Sequence, residues 1–347
     1  MRRGLLSRLK ESWAVLILGL LVSAGLLWFA FRDLEVREIL TALRRANYWW
    51  LVPGVAVYFI SVWFRSWRWG FLLRASKRVS ANRLYPVVVI GYMGNDVLPF
   101  RLGEVLRAYV LWRRERVNVG TSLTTAVLER LFDGLTMVLF VLVGLLFVPM
   151  SAFLSRLVVS ASAAFLGGLV VFLFLAAQPD LLHRIAHTVV ERIIPEQFRQ
   201  PLFDLVEGVI EGLECLRSER DVLVVFGVTL LVWILETVKY WLVSFAFDLQ
   251  LPYVGIILMG GVVNLLTALP SLPGYIGTFE AGGIKVLEII GAPPGPAGSY
   301  VLVLHAILLF PVTLLGLVFM AREGVRWTEV WEVNRSESRL DDAEVLG

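Results

Sequence analysis

The stretch Asn95-Asp-Val-Leu-Pro-Phe-Arg-Leu-Gly-Glu-Val-Leu-Arg107 contains two acids, two arginines, a proline and a glycine, directly after an apolar run. Charged side chains and interrupted backbone are tolerated at membrane depth only where they are buried in protein or line a watery cavity. They usually mark a functional site there. The stretch therefore indicates the working part of a membrane protein, and the rest of the chain is interpreted as its scaffold.

Composition places the chain among polytopic helical membrane proteins. Of its 347 residues, 58% are hydrophobic and 18% are charged, and the apolar residues form runs of about twenty, the length of a membrane-crossing helix. The net charge of +3 is too small to indicate nucleic acid as a partner. The single cysteine, Cys215, excludes an intrachain disulfide and a cysteine-built metal site. We predict no metal site and no cofactor.

The predicted fold is all-α: a membrane helical bundle of about six full spans plus two broken re-entrant hairpins. The basic N-terminus and the basic residues 65–83, interpreted as a loop, are assigned to the cytoplasm by the positive-inside rule. Both termini are therefore predicted to be cytoplasmic, in the cell (plasma) membrane. The full spans are predicted at residues 13–31, 48–64, 134–148, 157–177, 222–247 and 299–321.

One transmembrane domain is predicted over residues 1–326, followed by a polar cytoplasmic tail at 327–347. Apolar residues recur at helical spacing opposite acids within 178–221, which predicts a cytoplasmic amphipathic segment. His305, in the last span, is interpreted as a hydrogen-bonded packing residue.

Two apolar segments, 84–112 and 254–290, are interrupted by proline and glycine and predict the re-entrant hairpins. Arginines flank the first segment on both sides, so a full crossing would leave the second group outside. Counting of crossings places the second hairpin on the opposite face. Each segment carries an asparagine, a Leu-Pro break, glycines and a glutamate past the break. Paired broken segments of opposite orientation indicate an inverted repeat with the substrate site between its halves.

Three motifs carry a resemblance to a known family. They are Asn-x2-Leu-Pro-x-Arg-x-Gly-Glu-x2-Arg at Asn95 to Arg107, Glu-Arg-x2-Asp at Glu129 to Asp133, and Pro-x2-Pro-Gly-x2-Gly-x2-Glu at Pro270 to Glu280. In this order they resemble the lysylphosphatidylglycerol synthase transmembrane-region family of flippase-like integral membrane proteins, without the soluble aminoacyl-transfer domain. The resemblance implies a translocase that moves a polar or aminoacylated phospholipid, or a lipid-linked molecule, between leaflets. It implies no enzymatic activity for this chain.

The predicted site is a charged central cavity for the lipid headgroup. Arginines suit phosphate oxygens, because the guanidinium group donates a fork of hydrogen bonds, and carboxylates suit a headgroup amine or a coupled proton. Glu236 and Lys239, three residues apart, are predicted to form an intramembrane pair. The predicted substrate-binding residues are Asn95, Arg101, Glu104, Arg107, Glu129, Arg130, Asp133, Asn264 and Glu280. The predicted hinges or backbone breaks are Pro99, Gly103, Pro270, Pro273, Gly274 and Gly277.

Several alternatives stay open at this point. The charges of the first hairpin could only fasten two helices together, Glu236 and Lys239 could be a packing pair, and Pro270 to Glu280 could be a tight turn that binds nothing. An intramembrane transferase on a lipid-linked substrate, with Glu104 or Asp133 as general base, is the second functional hypothesis. An ion-coupled small-solute transporter is the third. A nucleotide-binding fingerprint is missing, which disfavours the enzyme. The sequence leaves the oligomeric state, including a homo-oligomer, undecided.

Overall fold

The computed structural model describes residues 20–32, 34–98, 102–148, 218–267 and 272–324, and seven isolated residues between 160 and 203. The predicted span at 157–177 and nearly all of the amphipathic segment lie outside these ranges, as do Pro99, Arg101 and Pro270. The described helices are α1 (Leu20–Phe31), α2 (Val36–Arg45), α3 (Leu51–Leu73), α4 (Ala81–Val97), α5 (Gly103–Glu115), α6 (Val119–Phe147), α7 (Glu219–Ser244), α8 (Tyr253–Leu266), α9 (Thr278–Ile289) and α10 (Pro294–Arg322).

The described part of the chain is helical throughout, without strands, which confirms the all-α class. Three helical stretches, corresponding to α6, α7 and α10, have 29, 28 and 29 residues and are apolar enough to cross a membrane. At about 1.5 Å per residue each exceeds the roughly 30 Å hydrocarbon thickness. The described residues thus contain three clear membrane-length helices, and the count of six full spans stays a prediction.

Helix α3 shows that one predicted boundary was wrong. The second span was expected to end at Phe64, with a cytoplasmic loop from Arg65 onward, but α3 continues to Leu73. Arg65 and Arg68 are therefore buried inside the bundle. The helix continues because Trp69, Leu72 and Leu73 pack into the core, and because acids on other helices compensate the two arginines.

Each predicted broken segment is a pair of helices packed against each other, α4 with α5 and α8 with α9. In the first pair, the side-chain oxygen of Asn95 accepts a hydrogen bond from the backbone N–H of Gly103 at 3.1 Å. This bond satisfies one of the free N–H groups at the start of α5. Gly103 is also the point of closest approach, because a Cβ atom added there would lie 2.0 Å from the carbonyl oxygen of Gly91. The hairpin therefore requires glycine at this position.

The two hairpins pack against long helices from the opposite half of the chain. Helix α4 lies along α10, α8 lies along α6, and α3 lies along α7. Two glycines make the close contacts: a Cβ added at Gly316 of α10 would lie 2.5 Å from the Cβ of Met93, and one at Gly144 of α6 would lie 2.6 Å from the Cβ of Leu258. Helix α10 thus accommodates Met93 of the first hairpin at Gly316, and α6 accommodates Leu258 of the second hairpin at Gly144.

Candidate functional site

A cavity of about 380 Å³ lies between the two hairpins and the long helices. Both broken segments contribute to its wall, and so do α3, α6, α7 and α10. The cavity thus joins the three stretches singled out in the sequence. Its polar and aromatic lining includes Tyr58, Arg65, Tyr92, Asn95, Asp96, Arg130, Asp133, Trp233, Glu236, Tyr240, Asn264, Thr267, Tyr275 and His305.

Glu104 and Arg107, in α5, connect the first hairpin to α6 through ion pairs. The Nε atom of Arg107 lies 2.7 Å from Glu104, and its terminal nitrogen donates to Glu129 at 2.7 Å. Arg130 donates to the other oxygen of Glu104 at 2.5 Å. Arg107 is buried and its guanidinium group lies over the ring of Trp69 at 4.6 Å. Arg107 is therefore part of the cavity's supporting layer, whereas Arg130 lines the cavity itself.

Arg68, in α3, is buried at the centre of this charge network. It donates to Asp133 at 2.7 Å and to the hydroxyl of Thr229 at 2.8 Å, and it lies 3.3 Å from Glu129. Asp133 also accepts a hydrogen bond from the indole N–H of Trp233 at 2.9 Å. Three polar partners therefore connect α3 with α6 and α7 through one arginine. Buried charges persist only when they are satisfied in this way.

Arg65 and the Glu236–Lys239 pair extend the network along α3 and α7. Arg65 lies 3.5 Å from Glu236 and 3.8 Å from Asp133, and its guanidinium group is 4.7 Å from the centre of the Trp233 ring. Lys239 donates to Glu236, as predicted for this pair, and its ammonium group also lies 4.1 Å from the Tyr58 ring centre. Glu236 lines the cavity, whereas Lys239 is fully buried behind it.

The network contains one more cation than it has acids. Taken as ionised, its five cations and four acids leave a net charge of 5 − 4 = +1. Arg65 and Arg130 are the two cations that line the cavity. The Arg130 side chain is 50% exposed, and the ion-pair distances of Arg65 are long. These two guanidinium groups therefore retain donors for an anion. The full set is Arg65, Arg68, Arg107, Arg130 and Lys239 with Glu104, Glu129, Asp133 and Glu236.

Glu280, in α9, has a different set of partners from the other predicted acids. One of its carboxylate oxygens lies 2.5 Å from Nδ1 of His305, and the other accepts the backbone N–H of Gly277 at 2.7 Å. The predicted break is present here: Gly274 and Gly277 have φ angles of +70° and +93°, in the left-handed region that favours glycine. His305 is thus hydrogen-bonded, as the sequence suggested, but it also lines the cavity.

The predicted binding residues fall into four groups. Asn95, Arg130, Asp133 and Asn264 line the cavity, and Glu104, Arg107 and Glu129 support it from behind. Glu280 is bonded to His305, and Arg101 lies outside the described residues. Among the predicted breaks, Gly103 begins α5, and Pro273, Gly274 and Gly277 lie between α8 and α9.

Sequence reasoning missed Arg65 and Arg68 as members of the site. They were counted as loop charges because six basic residues occur in 65–83 without an acid. Their spacing of three residues places them on one helix face. The apolar residues between and after them continue at helical spacing. The helical spacing of these apolar residues and of the two arginines, together with the acids of α6 that need cationic partners, could have indicated that α3 continues and buries both arginines.

The Glu236–Lys239 pair yields a prediction about stability. We expect Glu236→Gln to destabilise the protein by about 3 to 5 kcal/mol, because it leaves Lys239 buried without its carboxylate. The double variant Glu236→Gln/Lys239→Met should cost less than the sum of the two single variants, with a coupling of about 1 kcal/mol or more. Denaturation midpoints of the four proteins in one detergent measure the cycle. Additive effects would contradict the assignment of a mutually dependent pair.

Comparison with known proteins agrees with the class that the fold defines, a helical membrane protein. A sequence model described as "Lysylphosphatidylglycerol synthase TM region" matches residues 16–316. The chain belongs to this family, as its three motifs suggested.

Two relatives illustrate the range of proteins that the chain resembles. A "UPF0104 membrane protein" of Methanothermobacter thermautotrophicus is 25% identical over 312 residues, which cover 86% of this chain and 90% of that protein. "Glycosyltransferase AglD" of Haloferax volcanii is 24% identical over 319 residues, 82% of this chain but 50% of that protein. The match with AglD therefore extends over half of that glycosyltransferase.

Proposed function

We propose that this protein is a translocase that moves a polar or aminoacylated phospholipid, or a lipid-linked molecule, between the leaflets of the cell membrane. The observation that carries the proposal is the cavity, because both broken hairpins line it and two arginines with donors to spare face into it. An anionic headgroup is the ligand that these two guanidinium groups favour, because each can donate charge-assisted hydrogen bonds to it.

A headgroup that crosses the bilayer must lose its hydration. A phosphate in hydrocarbon loses its hydration without compensation, at a cost comparable to that of other buried ions. Arg65 and Arg130 can replace that hydration with charge-assisted hydrogen bonds. Asp133 and Glu236 line the same cavity and can accept hydrogen bonds from a headgroup amine. The acyl chains would stay in the bilayer while the headgroup crosses.

The proposed architecture is an inverted repeat, with α3 to α6 as one half and α7 to α10 as the other. The reciprocal packing of α4 on α10 and of α8 on α6 supports it, because a two-fold axis exchanges these two contacts. The glycine contacts at Gly316 and Gly144 are exchanged by the same axis. In this arrangement the hairpins enter from opposite faces and both termini are cytoplasmic.

The proposal predicts that Arg130→Ala slows lipid movement about 10- to 100-fold, the loss expected for one charge-assisted hydrogen bond. Glu104→Gln should slow it as well, because Glu104 orients both Arg130 and Arg107. The assay uses proteoliposomes with a fluorescent, lysine-esterified phosphatidylglycerol and a membrane-impermeant quencher. Lys285→Ala is the matched control, because Lys285 is exposed, is not among the residues that line the cavity, and pairs with Glu288 on the same helix. Movement at the wild-type rate in both site variants, with all proteins folded, would contradict the assignment.

A transferase acting on a lipid-linked substrate is the second candidate, favoured by the resemblance to a protein named as a glycosyltransferase. The two candidates differ in what becomes of the lipid. Mass spectrometry of lipids that copurify with the protein, before and after incubation, separates them. Conversion of the bound lipid into a new product by the purified chain would favour the transferase, whereas movement without conversion would favour the translocase.

A further inference from the structure

Glu280 and His305 form a second buried polar site, separate from the arginine network. Both side chains are about 5% exposed, and the imidazole stacks on the ring of Phe279 with centroids 4.4 Å apart. The pair joins α9 to α10 at the break of the second hairpin. The headgroup mechanism proposed above does not use it.

The hydrogen bonds of this pair fix the number of protons it carries. Nε2 of His305 lies 2.7 Å from the carbonyl oxygen of Gly274, and because a carbonyl can only accept, Nε2 must be protonated. Nδ1 lies 2.5 Å from Oε1 of Glu280, and two lone pairs cannot face each other at that distance. One additional proton therefore lies between the two side chains, on the imidazole or on the carboxyl group.

The same pair fastens the break of the second hairpin to α10. His305 donates to the carbonyl of Gly274, and Glu280 accepts from the N–H of Gly277, so the pair holds the two glycines of this break that have positive φ. The break also contacts the first hairpin, since the short turn Pro273–Tyr275 packs on α4. Loss of the shared proton would place a carboxylate against an imidazole lone pair. That repulsion would release the break from α10.

The cavity connects the site with solvent, so that a proton can reach it. His305 lines the cavity together with Asp96 of α4, which accepts a hydrogen bond from Thr313 at 3.1 Å. Helices α1 and α8 contain no charged residue in their described ranges. Lys285 and Glu288 of α9 pair with each other at 2.7 Å. The other titratable groups that line the cavity are Tyr58 and Arg65 of α3, Tyr92 of α4, Arg130 and Asp133 of α6, Glu236 and Tyr240 of α7, and Tyr275 of the turn. Lys239 of α7 and Tyr300 of α10 are buried behind this lining.

We propose that Glu280 and His305 are a proton-binding site through which lipid movement is coupled to proton transfer. With its proton the site keeps the second hairpin closed on α10. Release of the proton to solvent through the cavity frees the hairpin to move, and only an N–H or O–H bond breaks in that step. The coupling rests on the proposed translocase function, whereas the proton-binding site itself does not.

Nitrogen NMR of histidine tests the proton site without any transport. The chain has three histidines, so the background His183→Gln/His187→Gln isolates the signal of His305. We expect the nitrogen signal of Nδ1 of His305 to change in a single step as the pH is raised, when the proton shared with Glu280 is lost. Glu280→Gln should abolish that step, and Glu288→Gln, on the same helix, should preserve it. An identical titration in wild type and Glu280→Gln would overturn the site.

Proteoliposomes with an imposed pH gradient test the coupling. In one of the two gradient directions, wild type should move the fluorescent lipid at least roughly fivefold faster with the gradient than without it. A fivefold ratio is the lower end of typical coupling between two sites. In His305→Asn the ratio of the two rates should fall to one, and Glu288→Gln should keep the wild-type ratio. Equal wild-type rates with and without the gradient would overturn the coupling while the translocase stands. No movement under any gradient would instead count against the translocase.

Discussion

Replacement of Gly103 by alanine is expected to abolish the first hairpin and, with it, lipid movement. The added Cβ would lie 2.0 Å from the carbonyl oxygen of Gly91 and 2.5 Å from the side-chain oxygen of Asn95. The first obstacle is backbone, so no side-chain rotation can relieve it, and α5 would have to move away from α4. Overpacking commonly costs about 1 to 3 kcal/mol and occasionally more. We expect this variant at the upper end, because displacement of α5 also breaks the hydrogen bond that the backbone N–H of Gly103 donates to the side-chain oxygen of Asn95.

The same chemical change at Gly227 provides the control for Gly103→Ala. Gly227 lies inside α7, and an added Cβ there would meet no atom within 4 Å. Alanine at this helix position should therefore be neutral or stabilise by up to about 1 kcal/mol. The measurements are the melting midpoint in detergent and the rate of lipid movement in proteoliposomes. A Gly103→Ala protein as stable and as active as Gly227→Ala would show that the two helices do not approach as closely as described.

Arg68→Ala is expected to destabilise the protein by about 3 to 5 kcal/mol, the usual cost of removing one partner from a buried ion pair. The substitution would leave Asp133 without its closest cation and Glu129 with Arg107 alone, both inside the bundle. It would also leave the Thr229 hydroxyl without that donor. Thermal or denaturant unfolding in one detergent measures the loss.

Two comparison variants are needed to interpret the stability loss of Arg68→Ala. Lys285→Ala removes a cation whose side chain is 55% exposed and should change stability by no more than about 1 kcal/mol. Arg68→Ala combined with Asp133→Asn should recover part of the loss, because it removes the uncompensated carboxylate. If Arg68→Ala were as mild as Lys285→Ala, then Arg68 would be solvated and the network would not be buried.

The hairpins were predictable because their signals are local in sequence. In Asn95 to Arg107 and in Pro270 to Glu280, proline, glycine and charge interrupt an apolar run within a few residues, which at membrane depth is tolerated only where the segment is buried in protein or lines a watery cavity. The motif Glu129 to Asp133 could also be recognised from the sequence, since its acids share one helix face. That these stretches line one cavity followed from the assumption that buried charges find partners.

The role of Arg65 and Arg68 was not predictable in the same way, because it depends on contacts distant in sequence. Their partners are Glu129, Asp133 and Glu236, more than sixty residues away in each case. Composition alone favours a loop for such a basic run. The sequence indicated that His305 is hydrogen-bonded, but its partners Glu280 and Gly274 were not predictable, since a single histidine in a span carries no signal of what faces it.

The reciprocal glycine contacts have a mechanical consequence. Met93 fills the space above Gly316, and Leu258 fills the space above Gly144, so neither hairpin can slide along its long helix or rotate on it while these contacts last. A motion that keeps both contacts would carry α4 together with α10 and α8 together with α6, as two rigid bodies that each combine parts of both halves of the chain. The cavity lies at the seam between those bodies, and a small tilt of one against the other would widen it at one end as it narrowed at the other.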